Sequence, residues 1–371
     1  MLDVYLITLA LAVGIGLAAT ASLYALSHTQ RFAGFFHEGR GTAERPRWGG
    51  VAILLAFAVT PFIASAISDQ ASEIFSPKSG DFLAFLGACG LIFVIGFLDD
   101  WKVLNWKPKL LAQVAAASAV YSAGYSIDRV GLPWGPEFAL GFMAPVITVL
   151  WIVFFTNAIN LLDGRDGVAA GVAILGAVAL AQIAANAEHP TVALLLVAVA
   201  GAGLGLLPFN LPPASVYIGD SGAYLFGFII GSLSIRAATG VTDAVFIAVP
   251  IVALGFPILD TGLAAVRRML DHRHPLMGDE DHIHHRLEMA GFGPRGLVLV
   301  IYSVAALFAG GAIVLHYVHV FALEMAVFVG TIALVLGLLT KLGYALTIWN
   351  SASIVWLRRR LRWVEEPNES D

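Results

Sequence analysis

The stretch Ala139–Asn186, ALGFMAPVITVLWIVFFTNAINLLDGRDGVAAGVAILGAVALAQIAAN, holds two continuously apolar runs, 139–156 and 167–186, joined by a short polar insert. A helix that crosses a bilayer needs roughly 20 mostly apolar residues. Neither run alternates as a half-buried strand would, and within lipid only helices or closed barrels satisfy their own backbone. The stretch therefore predicts two membrane-spanning helices with a polar connection from Asn157 to Gly167.

Working outward, the same pattern recurs at 4–26, 49–67, 82–98, 109–123, 190–207, 221–235, 242–264, 297–315 and 320–346. The composition agrees: 58% of the 371 residues are apolar and 13% charged, against about 25% charged in a soluble domain. The expected fold is all-α, a polytopic membrane bundle of eleven helices. A single transmembrane domain spans 1–350, followed by a basic, then acidic, tail over 351–371. The first run is too long for a signal-peptide core, follows Asp3 instead of a basic residue and lacks an A-x-A end, so it is expected to remain as a span. Cys89 is the single cysteine, which excludes an intramolecular disulfide.

Basic residues orient the bundle. Arg31, Arg40, Arg45 and Arg47 follow the first run; Lys102, Lys107 and Lys109 follow the third; Arg165 follows the fifth; Arg267, Arg268, Arg273, Arg286 and Arg295 follow the ninth; Arg358, Arg359, Arg360 and Arg362 lie in the tail. Lys78, Arg129 and Arg236 fall on the other side. This predicts an outside N-terminus and a cytoplasmic C-terminus. The carboxylates, amides and histidines, which played no part in the count, fall in the same inward segments.

Asp99 and Asp100 close an apolar run at the membrane boundary, where desolvation and mutual repulsion make two ionised carboxylates costly; a cation or a proton relieves that, and so does a solvated helix end answered by Lys102. In Asn157-Ala-Ile-Asn160-Leu-Leu-Asp163-Gly-Arg165-Asp166-Gly167, positions 157, 160, 163 and 167 share a helical face. Those oxygen ligands suit a hard cation such as magnesium, which takes one or two carboxylates alongside substrate phosphates, although Asn-x-x-Asn also serves as interhelical glue. Asp220, in Gly219-Asp-Ser-Gly222, suits a helix cap or a ligand. His272, His274, His282, His284 and His285 make half of the ten histidines. Without a nearby cysteine or an H-E-x-x-H spacing, they and Arg286 fit a phosphate-rich ligand better than zinc. Asp260, within the ninth run, is either functional or paired with a basic neighbour.

Taken together, Arg45-Pro-Arg-Trp-Gly-Gly50, Gly96-Phe-Leu-Asp-Asp100, Lys109-Leu-Leu-Ala-Gln113, the 157–167 segment, Gly219-Asp-Ser-Gly222, Pro257-x-x-Asp260 and His282-Ile-His-His-Arg286 resemble, in order, the polyprenyl-phosphate N-acetylhexosamine-1-phosphate transferases of glycosyltransferase family 4. The resemblance implies a ten- or eleven-helix bundle in the bacterial cytoplasmic membrane with its active site facing the cytoplasm. It implies a UDP-N-acetylhexosamine donor, undecaprenyl phosphate as acceptor, UMP release and magnesium, or manganese, as cofactor. By that likeness the catalytic residues are Asp99, Asp100 and Asp220, and the metal ligands Asp220, Asp163 and Asp100. Asn157, Asn160, Asp166, Lys109, Arg45, Arg47, His282, His284, His285 and Arg286 would bind nucleotide and phosphates. The His-Ile-His-His-Arg pattern favours UDP-N-acetylglucosamine over the muramoyl-pentapeptide donor of the peptidoglycan relative. Arg165 and Ala223 depart from the usual pattern. Partners are the bilayer and, compatibly, a second copy of the chain; nucleic acid is not expected.

Two other classes compete. A transporter places polar groups near the midplane and on both faces, whereas here they lie on one. A CDP-alcohol phosphotransferase would continue Asp-Gly with Ala-Arg and later paired aspartates, which Asp163-Gly-Arg-Asp166-Gly lacks.

Overall fold

The computed structural model describes residues 1–29, 46–75, 80–131, 136–239, 244–270, 282–317, 321–341 and 343. Arg45, His272, His274 and the 351–371 tail lie outside them. The helices are α1 (Leu2–Ser27), α2 (Gly49–Ile67), α3 (Asp69–Ile74), α4 (Gly80–Lys102), α5 (Trp106–Ser122), α6 (Ala144–Leu162), α7 (Val168–Asn186), α8 (Pro190–Asn210), α9 (Gly219–Ala237), α10 (Ala248–Ala253), α11 (Gly255–Leu270), α12 (Ile283–Met289), α13 (Pro294–Tyr317) and α14 (Phe321–Lys341).

The architecture is all-α apart from three short strands among the described residues. β1 (Arg129–Gly131) pairs antiparallel with β2 (Glu137–Ala139) and parallel with β3 (Ala244–Phe246). The run 242–264, expected as one helix, is instead β3, α10 and the start of α11. Pro250 and Pro257 account for the breaks, since each lacks an N–H and fits the first turn of a new helix better than the interior of a continuous one.

Among the described residues, seven helices are long and apolar enough to cross a membrane: α1, α2, α4, the helical stretch Gly141–Leu162 ending in α6, α7, α8 and α13. Of the other expected spans, α5 is shorter, α9 is more polar and 242–264 is broken. The most instructive is α9, in which every residue except Asp220 and Arg236 is buried. It is the hub, packed on α2, α4, α6 and α7. Its surroundings are protein, so its sequence need not be lipid-compatible. Of their apolar windows, 78% is buried in α7 and 72% in α8, but only 22% in α1, which places α1 at the rim.

Close packing depends on small residues, because lipid offers no hydrophobic drive for helices to associate. On α1 the buried positions Val4, Thr8, Ala12, Gly16 and Thr20 repeat every fourth residue. They face α8, where a Cβ on Gly205 would stand 2.6 Å from the Val13 carbonyl oxygen. The Thr8 and Thr20 hydroxyls donate back to Val4 O (2.8 Å) and Gly16 O (2.7 Å), which satisfies both buried donors within α1.

The bundle has two chemically different ends. α6 begins just after β2 and runs to Asn157 and Asn160, whereas α9 carries Asp220 in its first turn and ends shortly before β3. The sheet therefore marks one end and the polar motifs the other. The C-termini of α1 and α8 meet at the polar end, with the Tyr24 and Phe209 rings 6.2 Å apart.

Candidate active site

The polar end is organised around the N-terminus of α9. Its first N–H groups lack intrahelical acceptors, and the acceptor arrives from another helix. Asp100, at the end of α4, takes the Asp220 N–H on Oδ1 (2.8 Å) and the Ser221 N–H on Oδ2 (3.0 Å). The sequence suited Asp220 to a cap or a ligand; in the fold Asp100 caps, and Asp220 sits in the first turn, where its side chain meets other groups. Gly219 permits this geometry twice over. Its φ is +73°, and a Cβ there would lie 2.6 Å from both Arg47 O and Asp100 Oδ2. Negative charge at this helix end is also favoured by the helix dipole.

Asp99 and Asp100, adjacent in sequence, do different things. Asp99 is fully buried and accepts from Lys109 Nζ (2.9 Å) and Leu104 N (2.7 Å). Lys109 thus answers Asp99, while Lys102 lies over the Trp101 ring, 5.0 Å from its centroid. Asp100 lines a cleft of 480 Å³ together with Asp163, Asp166, Asp220, Arg47 and Arg165, among others.

Backbone and amide contacts place the segments that carry these side chains. The Pro46–Gly50 segment pairs with Tyr217 and Ile218 through Tyr217 N to Pro46 O (2.9 Å), Gly49 N to Tyr217 O and Gly50 N to Ile218 O (both 3.0 Å), which brings Arg47 to the cleft. Helix α6 carries Asn157 and Asn160 but stops at Leu162, so Asp163 and Gly167 belong to a turn and not to the expected common face. Asn160 Nδ2 donates to Asp220 Oδ1 (2.8 Å). Asn157 lies deeper and pairs with Gln113, its Nδ2 donating to Oε1 at 2.7 Å. The turn itself docks on the segment after α8: Asp166 Oδ2 accepts from Ala214 N (2.9 Å), and Gly167 N donates to Asn210 Oδ1 (3.1 Å). Gly167, at φ +79°, starts α7 in the left-handed region that favours glycine.

His282 precedes α12 as its N-cap, and His284, His285 and Arg286 lie on it; His282, His284 and Arg286 are buried, and Glu288 is the residue of this helix that lines the cleft. Asp260 Oδ1 accepts from Ile283 N (2.8 Å) and Oδ2 meets His282 Nδ1 (2.7 Å), so Asp260 is paired with a histidine. The His282 and His284 rings are nearly parallel, with centroids 5.6 Å apart. Arg165, in the turn, grips Glu288 of α12 through Nε–Oε1 (2.5 Å) and Nη2–Oε2 (2.6 Å). This bond holds the Glu288 carboxyl below its usual range and Arg165 above its own. The sequence did not mark out Glu288. Its one local signal is the three-residue spacing from His285, whose Nδ1 lies 3.8 Å from the carboxylate.

Burial, and after it the charges of Asp220 and Asp100, push the Asp163 carboxyl well above the usual carboxylate range, with Arg47 opposing. Oxygen donors crowded in this way suit a divalent cation that relieves their repulsion. No three His, Cys, Asp or Glu groups among the described residues form a ready-made cage. A hard ion held here would draw its other ligands from water or phosphate.

His284 is 3% exposed, and burial, with the neighbouring His285 charge, pushes it down to about 4. The unfolded chain, with an ordinary histidine near 6.5, binds the proton more tightly. This contribution to stability is therefore complete above pH ~6.5 and falls by about 3 kcal/mol as the pH drops towards 4. Thermal unfolding of detergent-solubilised protein should show that acid loss, and His284→Gln should flatten it.

A cleft lined by carboxylates and arginines, set at one end of an apolar bundle, defines a polytopic membrane protein with its candidate site at that end. Residues 82–238 match the model of glycosyl transferase family 4. The chain is 38% identical over 271 residues, 73% of each chain, to the "Probable undecaprenyl-phosphate N-acetylglucosaminyl 1-phosphate transferase" of Bacillus subtilis (strain 168). It is 33% identical over 289 residues, covering 72% of this chain and 71% of the relative, to the decaprenyl-phosphate N-acetylglucosaminephosphotransferase of Mycolicibacterium smegmatis. It is also similar to the phospho-N-acetylmuramoyl-pentapeptide-transferase of Staphylococcus epidermidis, at 28% identity over 70% of this chain and 81% of the relative. The chain belongs to glycosyl transferase family 4.

Proposed function

We propose that the chain transfers N-acetylhexosamine-1-phosphate, with N-acetylglucosamine-1-phosphate as the favoured group, from a UDP-sugar to undecaprenyl phosphate and releases UMP, starting a cell-envelope polysaccharide. The carrying observation is the convergence of Asp100, Asp163, Asp166 and Asp220 with Arg47 in one cleft at the end of a lipid-facing bundle. Relatives named for this transfer support the reading. Phospho-muramoyl-pentapeptide transfer is the alternative carried by the third relative.

In the reaction, an oxygen of the lipid phosphate forms a bond to the β-phosphorus while the bond from that phosphorus to the bridging oxygen breaks, and the electron pair leaves with UMP. Two anions must meet, so the site's task is to neutralise charge and hold the groups in line. Asp220, Asp163 and Asp100 would hold magnesium, which supplies charge neutralisation at the diphosphate and the leaving group. Asp100, which lines the cleft, is the member of the acidic pair that faces the acceptor phosphate. Asp99 positions Lys109. Asn160 orients Asp220, and Arg47, the α12 histidines and Arg286 hold phosphates. Basic residues concentrated at this end, against Arg129 and Arg236 at the sheet end, support a cytoplasmic active site.

The test is purified protein with undecaprenyl phosphate, magnesium and one of three donors: UDP-N-acetylglucosamine, UDP-N-acetylgalactosamine or UDP-N-acetylmuramoyl-pentapeptide. UMP release with the first, abolished by a chelator, is expected. No UMP from any donor overturns the reading.

A further inference from the structure

Helix α12 has seven residues, too few to persist on its own, since isolated helices below about 12 residues are marginal. Something must seat it. Its N-terminal end is tied to α11 by the buried Asp260, through His282 and Ile283. Its C-terminal half is tied to the carboxylate turn by Glu288 and Arg165, in the parallel two-bond geometry that gives guanidinium–carboxylate pairs direction as well as strength. Arg165 is braced on its own turn by Nη1 to Gly164 O (2.9 Å). Between the two ties, the His284 ring fills the space beside Gly164, where a Cβ would come within 2.9 Å of Nε2.

Arg165 and Glu288 both line the cleft and are 38% and 36% exposed, which places them at its mouth. A pair so open to water adds little to global stability. Its effect is local, because it fixes the gap between the turn that carries Asp163 and Asp166 and the helix that carries the histidines and Arg286.

We propose that Arg165 and Glu288 form a positioning pair that seats α12 across the cleft and thereby sets affinity for the donor's diphosphate. This rests on the transferase reading above. The sequence singled out Arg165 as a departure from the usual pattern; in the fold, Glu288 is what it reaches.

The experiment measures donor and acceptor KM, kcat and, by calorimetry with magnesium, UDP-N-acetylglucosamine binding to the full chain. Arg165→Gln and Glu288→Gln should each raise donor KM and Kd about fivefold, equivalent to ~1 kcal/mol, with kcat and acceptor KM within about twofold of the parent. Arg165→Lys, which keeps the charge but not the fork, should fall between. The charge-reversed double variant R165E/E288R should recover most of the donor affinity, a rescue that a merely structural defect would not give. Unchanged donor KM and Kd in both single variants overturn the proposal, and so does a fall in kcat and in both affinities together that the reversal leaves in place. Should the reversed pair fail to fold, equal losses in Arg165→Lys and Arg165→Gln, against parent-like melting, also count against it. A parent protein that binds UDP-N-acetylglucosamine but releases no UMP sinks the transferase reading alone, since the binding arm still tests the pair.

Discussion

Asp220→Asn should lower UMP release by about 100-fold or more, the scale typical of removing a group that stabilises transition-state charge. The fold around it should survive. The main-chain N–H of residue 220 still reaches Asp100, and an amide oxygen at this position still accepts from Asn160 Nδ2, now 2.8 Å from Oδ1. What disappears is a negative charge among carboxylates that already repel one another, so thermal stability should hold or rise slightly. The diagnostic pair of measurements is a weakened magnesium dependence of kcat beside an unshifted melting curve. Parent-like magnesium-dependent activity would remove Asp220 from the metal and catalytic set.

Gly227→Val should have the largest effect on folding. A Cβ at 227 would lie 2.4 Å from the Phe155 carbonyl oxygen and 2.7 Å from Thr156 Cα, both backbone atoms of α6 that no rotamer change can move. The α6–α9 contact must open, at a cost of about 3 kcal/mol or more. Asn160 and Asp220 lie on these two helices, so activity should fall with stability. The control is Gly87→Ala on α4, where a Cβ meets nothing within 4 Å and replacing a helical glycine stabilises by roughly 0.5–1 kcal/mol. The fraction of monodisperse protein surviving mild heating in detergent should drop sharply for the first and hold for the second. Equal survival of the two would mean that α6 and α9 do not pack through Gly227.

The site was legible in sequence to the extent that polar residues stand out in an apolar chain. Asp99, Asp100, Asp163 and Asp220 were visible because ionisable groups at a membrane boundary are expensive and need a reason. Glu288 was not, since one more acid in a polar connection carries no such penalty. The division of labour between Asp99 and Asp100 was equally hidden. It follows from which way each side chain leaves the last turn of α4: Asp99 towards Lys109, Asp100 towards the backbone of α9.

Where helices form in this protein is written mostly in the chain itself, because a segment in lipid must satisfy its backbone within its own length; the borders of α2, Gly49–Ile67, coincide with the apolar run for that reason. The exception, 242–264, breaks where prolines intervene and where a strand finds β1 as partner. The tertiary structure alone decided that α9 is the hub, that Asp100 caps it from 120 residues away in sequence, and that Arg165 meets Glu288. Those outcomes depend on close approaches at glycines such as Gly219 and Gly227, and on pairings between segments distant in sequence, which no local pattern of apolar and polar residues encodes.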